Sequence, residues 1–201
     1  CIILKMNILL ISMYSDKWDW KKQHKLYRKA IGNNAKLIIK RYHDNVGIKK
    51  VLKKNNISGI IISGSDYFIL RKGSPPVPKI IFKYKIPILA ICYGLQYIAI
   101  KYGKRSNINS FKNGMKGYTK KIKMTVPFNV KKLEYTYFHQ DYVVGIQKKF
   151  KIIKRMGNKI VMVYDKKDNI LGIQFHPEYI LRTGKIFFKK WFKFIKNKRV
   201  F

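Results

Sequence analysis

Four short apolar runs, spaced along the first half of the chain, constrain the fold more than any other feature. Asn7–Ser12 (NILLIS), Ala35–Arg41 (AKLIIKR), Ile57–Ser63 (ISGIIIS) and Ile86–Ile91 (IPILAI) are strand-sized and rich in isoleucine. Between them lie stretches with helical spacing. Lys17–Ile31 places Trp18, Leu26, Tyr27 and Ala30 at roughly helical intervals and closes on Gly32, and Val46–Asn56 puts Ile48, Val51 and Leu52 on one face. The loop GSDYFILRKGSPPVP (residues 64–78) carries prolines that forbid a regular helix. Lys79–Lys85 reads as a further helix, and Gly94–Tyr102 as the helix after the fourth strand. Strands alternating with helices predict βαβ units and a mostly parallel sheet.

After Gly103 the pattern changes to short strands joined by turns. Lys121–Val126, Ile152–Met156, Ile160–Tyr164 and Ile170–Phe175 are the strands, with turns clearest at Gly157-Asn158 and Lys167–Asn169. These are expected to add antiparallel strands to the same sheet, and Thr183–Lys196 to end the chain as an aromatic and basic helix. With 201 residues, no internal repeat and no Ser/Gly linker, residues 1–201 are expected to form one α/β domain with its core over about 7–196.

Forty-five basic residues against nine acidic give a formal charge of +36. Two explanations fit. One is nucleic-acid binding. The other is a solvated surface in a chain shaped by A/T-rich codons, which also enrich Ile, Asn, Tyr and Phe. The lysines are dispersed from end to end instead of forming a tail or cluster, which favours the second. No apolar run is long enough to span a membrane. The two cysteines, Cys1 and Cys92, are far apart and lack metal-ligand spacing, so a reducing compartment, the cytosol, is expected. Because the chain begins at Cys1, its natural start is expected upstream or at Met6.

Cys92 stands where the apolar run of IPILAICYGLQYIAI ends and a helical pattern begins. A thiol attacks a carbonyl carbon only as the thiolate. At a strand-to-helix corner the helix dipole favours negative sulfur, and the first backbone N–H groups can receive an oxyanion. Ala90-Ile91-Cys92-Tyr93-Gly94 has the small flanking residues of a nucleophile elbow, with alanine in the first small position. A space-filling cysteine is the alternative. A nucleophile needs a base, and the chain holds four histidines. His24 and His43 lie in charged surroundings and are expected at the surface. His176 stands in GIQFHPEY, just after an apolar strand, and strand ends on one edge of a parallel sheet converge where ligands bind. Glu178, two residues on, points the same way in an extended segment and can orient the imidazole.

ICYGLQ followed by GIQFHPE resembles the class I (triad-type) glutamine amidotransferases, over nearly the whole chain from Asn7 to about Lys196. Within that family the run from ISGS through ICYGLQYIA looks most like the amidotransferase part of GMP synthetase, and YFHQDYV (Tyr137–Val143) is similar to the Ser-His-Gly-Asp stretch of those enzymes. The resemblance implies a flavodoxin-like three-layer α/β sandwich that hydrolyses L-glutamine to glutamate and ammonia. It makes Cys92 the nucleophile, His176 the general base and acid, and Glu178 the orienting carboxylate. Backbone N–H groups of Tyr93 and Ser65 would form the oxyanion hole, Gln96 would help bind substrate, and backbone around Phe138 and His139 would hold the amino-acid end of glutamine.

The chain departs from the family pattern in two places. Gly64-Ser65-Asp66 stands where a Gly-Gly-Pro turn is usual, and Phe138 and Gln140 stand where serine and glycine are usual. Asp141 either meets the substrate's ammonium or caps a turn. The resemblance implies no metal and no cofactor in this chain, with ATP and Mg²⁺ confined to a partner synthetase that aminates xanthosine monophosphate. Two other readings stay open: a standalone hydrolase of γ-glutamyl amides or one serving another ammonia acceptor, and a degenerate, basic binding or regulatory protein.

Overall fold

The computed structural model describes residues 6–54, 56–114, 116–124 and 127–197. The expectations placed on residues 1–5, with Cys1, and on Thr125 and Val126 lie outside them. The first half alternates as the apolar runs require: β1 (Met6–Ser12), α1 (Trp20–Ile31), β2 (Ala35–Arg41), α2 (Asn45–Lys54), β3 (Ile57–Ile62), β4 (Ile88–Ile91) and α3 (Tyr93–Lys101). The second half holds β5 (Ile108–Ser110), β6 (Lys116–Met124), β7 (Val130–His139), β8 (Asp141–Val143), β9 (Lys151–Met156), β10 (Lys159–Asp165), β11 (Ile170–Ile173) and the closing helix α4 (Leu181–Asn197).

The main sheet runs β2-β1-β3-β4-β11 in parallel, then β10, β8 and β5 antiparallel, with β9 also on β10. The parallel part has the flavodoxin-like order, with β11 as fifth strand after a long excursion and the strand order reversing between β1 and β3. Both faces of the sheet are covered over β3, β4 and β11 and most of β1, which is why these central strands read as apolar runs. Ile8, Leu10 and Ile61 pack with Tyr27 of α1 and Phe187 and Trp191 of α4. Leu9, Ile11 and Ile60 pack on the other side with Ile48 and Leu52 of α2 and Leu95 and Ile98 of α3. Each such side chain taken from water stabilises the fold by about 1.5–3 kcal/mol before entropy is counted. The expected three-layer α/β class is the one observed.

Three expectations need correction. Lys79–Lys85 is only a 3-10 turn over Lys79–Lys83. Pro78 precedes it and Pro87 draws the residue before it toward extended backbone, leaving too few residues for an α-helix. β6 and β7 do not join the main sheet but form a separate two-stranded ribbon. Tyr135 and Tyr137 of this ribbon are buried against Phe175 and Phe187, so it packs into the layer of α1 and α4. His24 is buried, not superficial. It sits on the inner face of α1 with Gln23, Tyr27, Ala30 and Ile31, its Nε2 2.8 Å from the Ser12 hydroxyl. Burial, then the charges of Arg41 and Arg28, push its pKa down to about 4. His43 is exposed, as expected. Among the described residues no helix is long and apolar enough to cross a membrane.

Candidate active site

β1, β3, β4 and β11 run parallel, so their carboxyl ends open on one edge, and the residues singled out from the sequence gather there. Cys92 follows β4 directly and caps α3 at φ 51° and ψ −100°. This left-handed backbone in a non-glycine residue is the strain of an elbow, on the order of 1–3 kcal/mol, held by the structure around it. Its N–H donates to the Ile173 carbonyl (2.7 Å) and its carbonyl accepts the first bond of the helix, from Gln96 (3.1 Å). The positive φ falls on Cys92 itself, so the methyl of Ala90 is no obstacle. Gly94 lets α3 close on β3, since a Cβ there would meet the Ile62 carbonyl at 3.0 Å.

His176 arrives from the segment after β11. Its backbone N–H donates to the Thr136 carbonyl of β7 (2.8 Å), and its Nδ1 lies 2.7 Å from Glu178 Oε1. With Nδ1 facing the carboxylate, the buried Nε2 is the ring nitrogen left to exchange a proton with a neighbour. Burial alone would lower the ring's pKa, but the charges of Glu178 and the Cys92 sulfur reverse this and push it up to about 10. The imidazole is therefore a proton carrier at neutral pH, beside a sulfur that can give it the proton. Cys92, His176 and Glu178 are 4%, 3% and 1% exposed. The sulfur is covered at the rim by the β6–β7 ribbon, its Sγ 3.8 Å from the Phe138 carbonyl oxygen.

Gly64, after β3, abuts the imidazole so closely that a Cβ would come within 2.6 Å of His176 Cε1. The next residues are fastened by side chains. The Ser65 hydroxyl donates to the Met13 carbonyl (2.7 Å) and accepts from the Tyr67 N–H (3.0 Å), and the Asp66 carboxylate accepts from the Ser15 N–H (2.8 Å) and hydroxyl. Neither Ser65 nor Asp66 has positive φ, so this turn does not require a second glycine. Tyr93, the first residue of α3, donates its hydroxyl to the Pro75 carbonyl (2.6 Å), anchoring the same loop. Its backbone N–H, at the start of the helix, has no intrahelical acceptor.

Gln96 Nε2 donates to the Asp141 carbonyl (2.5 Å), and His139 Nδ1 lies 3.0 Å from the same oxygen. A carbonyl only accepts, so His139 carries its proton on Nδ1, and Nε2 is free to accept from the Tyr118 hydroxyl at 3.5 Å. Burial, with His176 and Lys159 adding to it, lowers the His139 pKa to about 4. The Asp141 carboxylate accepts from the Leu70 N–H (3.3 Å) and the Ser110 hydroxyl, which ties the 64–78 loop to β5. Two features were missed from sequence. Gln174, inside the quoted GIQFHPEY, reaches the Cys92 sulfur with its amide (3.4 Å). Behind Glu178, α1 supplies Gln23, whose Oε1 accepts from the Tyr179 hydroxyl (3.2 Å), and one turn on Tyr27, buried against the same segment. Both lie two residues or one helical turn from residues already singled out, which is the signal that could have found them.

Residues 20–194 match the family model for glutamine amidotransferase class-I. Among curated proteins, the glutamine-hydrolysing GMP synthase of Wigglesworthia glossinidia brevipalpis is 34% identical over 142 residues, covering 65% of this chain and 27% of that protein. That of Plasmodium falciparum is 29% identical over 196 residues, covering 78% of this chain and 35% of the relative. The chain thus spans about a quarter to a third of the length of these relatives. A crystal structure of a GMP synthase-type protein from Thermoplasma acidophilum superposes with a TM-score of 0.64 at 18% identity, covering 97% of this chain and 96% of that one.

Proposed function

This chain belongs to the class-I glutamine amidotransferases, and from that premise we propose that it hydrolyses L-glutamine through Cys92, His176 and Glu178. The observation that carries the reading is the meeting of an elbow cysteine with a carboxylate-held imidazole at the ends of β4 and β11. In the first step the Cys92 thiolate attacks Cδ of glutamine. The C–S bond forms, and the carbonyl π pair moves to oxygen, facing the N–H groups at the start of α3 and in the 64–65 turn. Collapse breaks the C–N bond, and His176 gives its Nε2 proton to the departing nitrogen, releasing ammonia. Water then attacks the γ-glutamyl thioester, losing its proton to the now neutral His176. The C–S bond breaks, glutamate leaves and the thiolate returns. A raised His176 pKa suits this order, because the ring already holds the proton that ammonia needs.

Ammonia is useful only when captured. The curated relatives named above are GMP synthases, of which this chain covers 27% and 35%, and the chain itself matches the class-I amidotransferase family model. Its ammonia therefore goes to an ATP- and Mg²⁺-dependent synthetase partner that aminates xanthosine monophosphate, in the cytoplasm. Gln96 lies beneath the glutamine site and the backbone at Phe138 and His139 holds the substrate from the ribbon above it, so the site is reached when the ribbon lifts from the sulfur and closes when it returns. The test is glutamate release from glutamine by the purified chain, alone and with a candidate synthetase. Cys92→Ala removes it, a loss of about 10⁶-fold in rate by analogy with other nucleophile deletions. Activity surviving in that variant overturns the assignment.

A further inference from the structure

β11 brings more to the corner than the segment that carries His176. Its parallel register sets Ile173 beside Ile91 of β4, so the next residue of each strand, Gln174 and Cys92, come side by side where the strands end. Gln174 is 1% exposed, and its backbone N–H is engaged by the Val161 carbonyl. Its side-chain Nε2 stands 3.4 Å from the Cys92 sulfur, while Oε1 has no hydrogen-bond partner. A primary amide buried in this way loses its water and gains only a sulfur in return. A leucine or methionine would fill that volume without the loss. The amide is compensated only when the sulfur is anionic, because an N–H donor binds a charged acceptor far more strongly than a neutral one.

We infer that Gln174 is a further catalytic residue, whose Nε2–H donates to the Cys92 sulfur and holds it as the attacking thiolate. The inference rests on Cys92 being the nucleophile of the proposed reaction. It also fills a gap in that reaction. When the thioester breaks, His176 is occupied with the proton of the attacking water, and the departing sulfur needs a donor that takes no part in proton transfer. The other titratable groups facing the sulfur are His176 with Glu178 behind it, Tyr14 from the segment after β1, Tyr118 from β6, and Tyr179. Burial holds all three phenols protonated. Gln174 is the neighbour that neither titrates nor moves a proton.

The test is the pH dependence of Cys92 alkylation by iodoacetamide, in the wild-type chain and in Gln174→Leu and Gln174→Glu, with no glutamine present. Both variants are expected to move the alkylation midpoint to higher pH. Gln174→Leu should raise the midpoint by about one pH unit, about a tenfold loss of rate at pH values below both midpoints, and Gln174→Glu by more, since an acceptor replaces the donor. Covering by the ribbon slows all three chains alike and leaves the midpoints comparable. Midpoints that stay at the wild-type value in folded variants overturn the inference. If neither variant folds, the wild-type chain decides: its Gln174 side-chain amide resonances, in ¹⁵N-labelled protein, should move with the same midpoint as alkylation, and stationary resonances overturn it. A shifted midpoint without glutamate release would refute the glutaminase reading and leave the amide–sulfur bond standing; release without a shift would do the reverse.

Discussion

Cys92 and the Phe138 carbonyl face each other from two regions built in different ways. β4 is buried at every residue, lies between β3 and β11, and has α3 packed behind it. The cysteine's own N–H and C=O are both engaged, so a strained backbone is held by neighbours on each side. The β6–β7 ribbon is two strands with β6 largely in solvent, and a ribbon of that kind is marginal on its own. It is held by aromatic packing on Phe175 and Phe187 and by one bridge between Thr136 and His176. Under the proposed reaction these become a bond-making side that must not move and a covering side that must. Low local stability is the physical condition for opening.

The largest effect should come from the rigid side. Glu178→Gln keeps the shape but removes the charge that sustains the imidazolium. kcat for glutamate release is expected to fall about 10³- to 10⁴-fold with KM little changed. Because the folded His176 pKa is raised, its stabilising contribution is complete below pH 6.5 and is lost as pH climbs toward about 10. Glu178→Gln should flatten that alkaline decline in melting temperature. An unaltered kcat would remove Glu178 from the mechanism. Next comes Gly64→Ala, whose Cβ displaces the imidazole, with kcat expected to drop about 10- to 100-fold while the fold survives.

Acid probes both regions alike, by stability instead of rate. His24 belongs to the parallel half and His139 to the ribbon, and both stay neutral in the fold down to about pH 4. The unfolded chain takes up these protons near pH 6.5, so stability should fall between pH 6.5 and 4, by up to about 1.4 kcal/mol per pH unit for each histidine. Denaturant melts of the single His→Asn variants should each lose about half the slope; an unchanged slope would break the comparison. The smallest effect is expected at Phe138→Ser. It removes the ring packed over Gly117 and loosens the ribbon, so Cys92 should alkylate a few-fold faster with kcat nearly unchanged.

The same contrast explains what could be read from the sequence. Ile57–Ile62 was legible because a strand covered on both faces is apolar almost throughout, whereas the half-buried edge strand Ala35–Arg41 showed itself only by its Leu37–Ile39 centre between lysines. The corner was legible for a related reason: a nucleophile at a strand end needs small neighbours, and a base on an adjacent parallel strand must follow its own apolar run. The β7 strand, VKKLEYTYFH, escaped notice because lysines and Glu134 interrupt it, although Tyr135, Tyr137 and His139 alternate inward. His24 was misjudged because its neighbours in sequence are charged while its neighbours on the helix face are not. Gln174 was hidden by its place in a segment already given a purpose. No local pattern reports that two strands in register will set an amide against a sulfur; only the β4–β11 pairing does.

The excursion from α3 through β10 also orders events during synthesis. β1 to β4 and their helices are complete before β11 exists, and β11 can pair with β4 only after the intervening strands have emerged. A growing chain on the ribosome therefore displays its cysteine without imidazole, carboxylate or amide beside it. Chemical competence arrives late and all at once, when β11 completes the sheet.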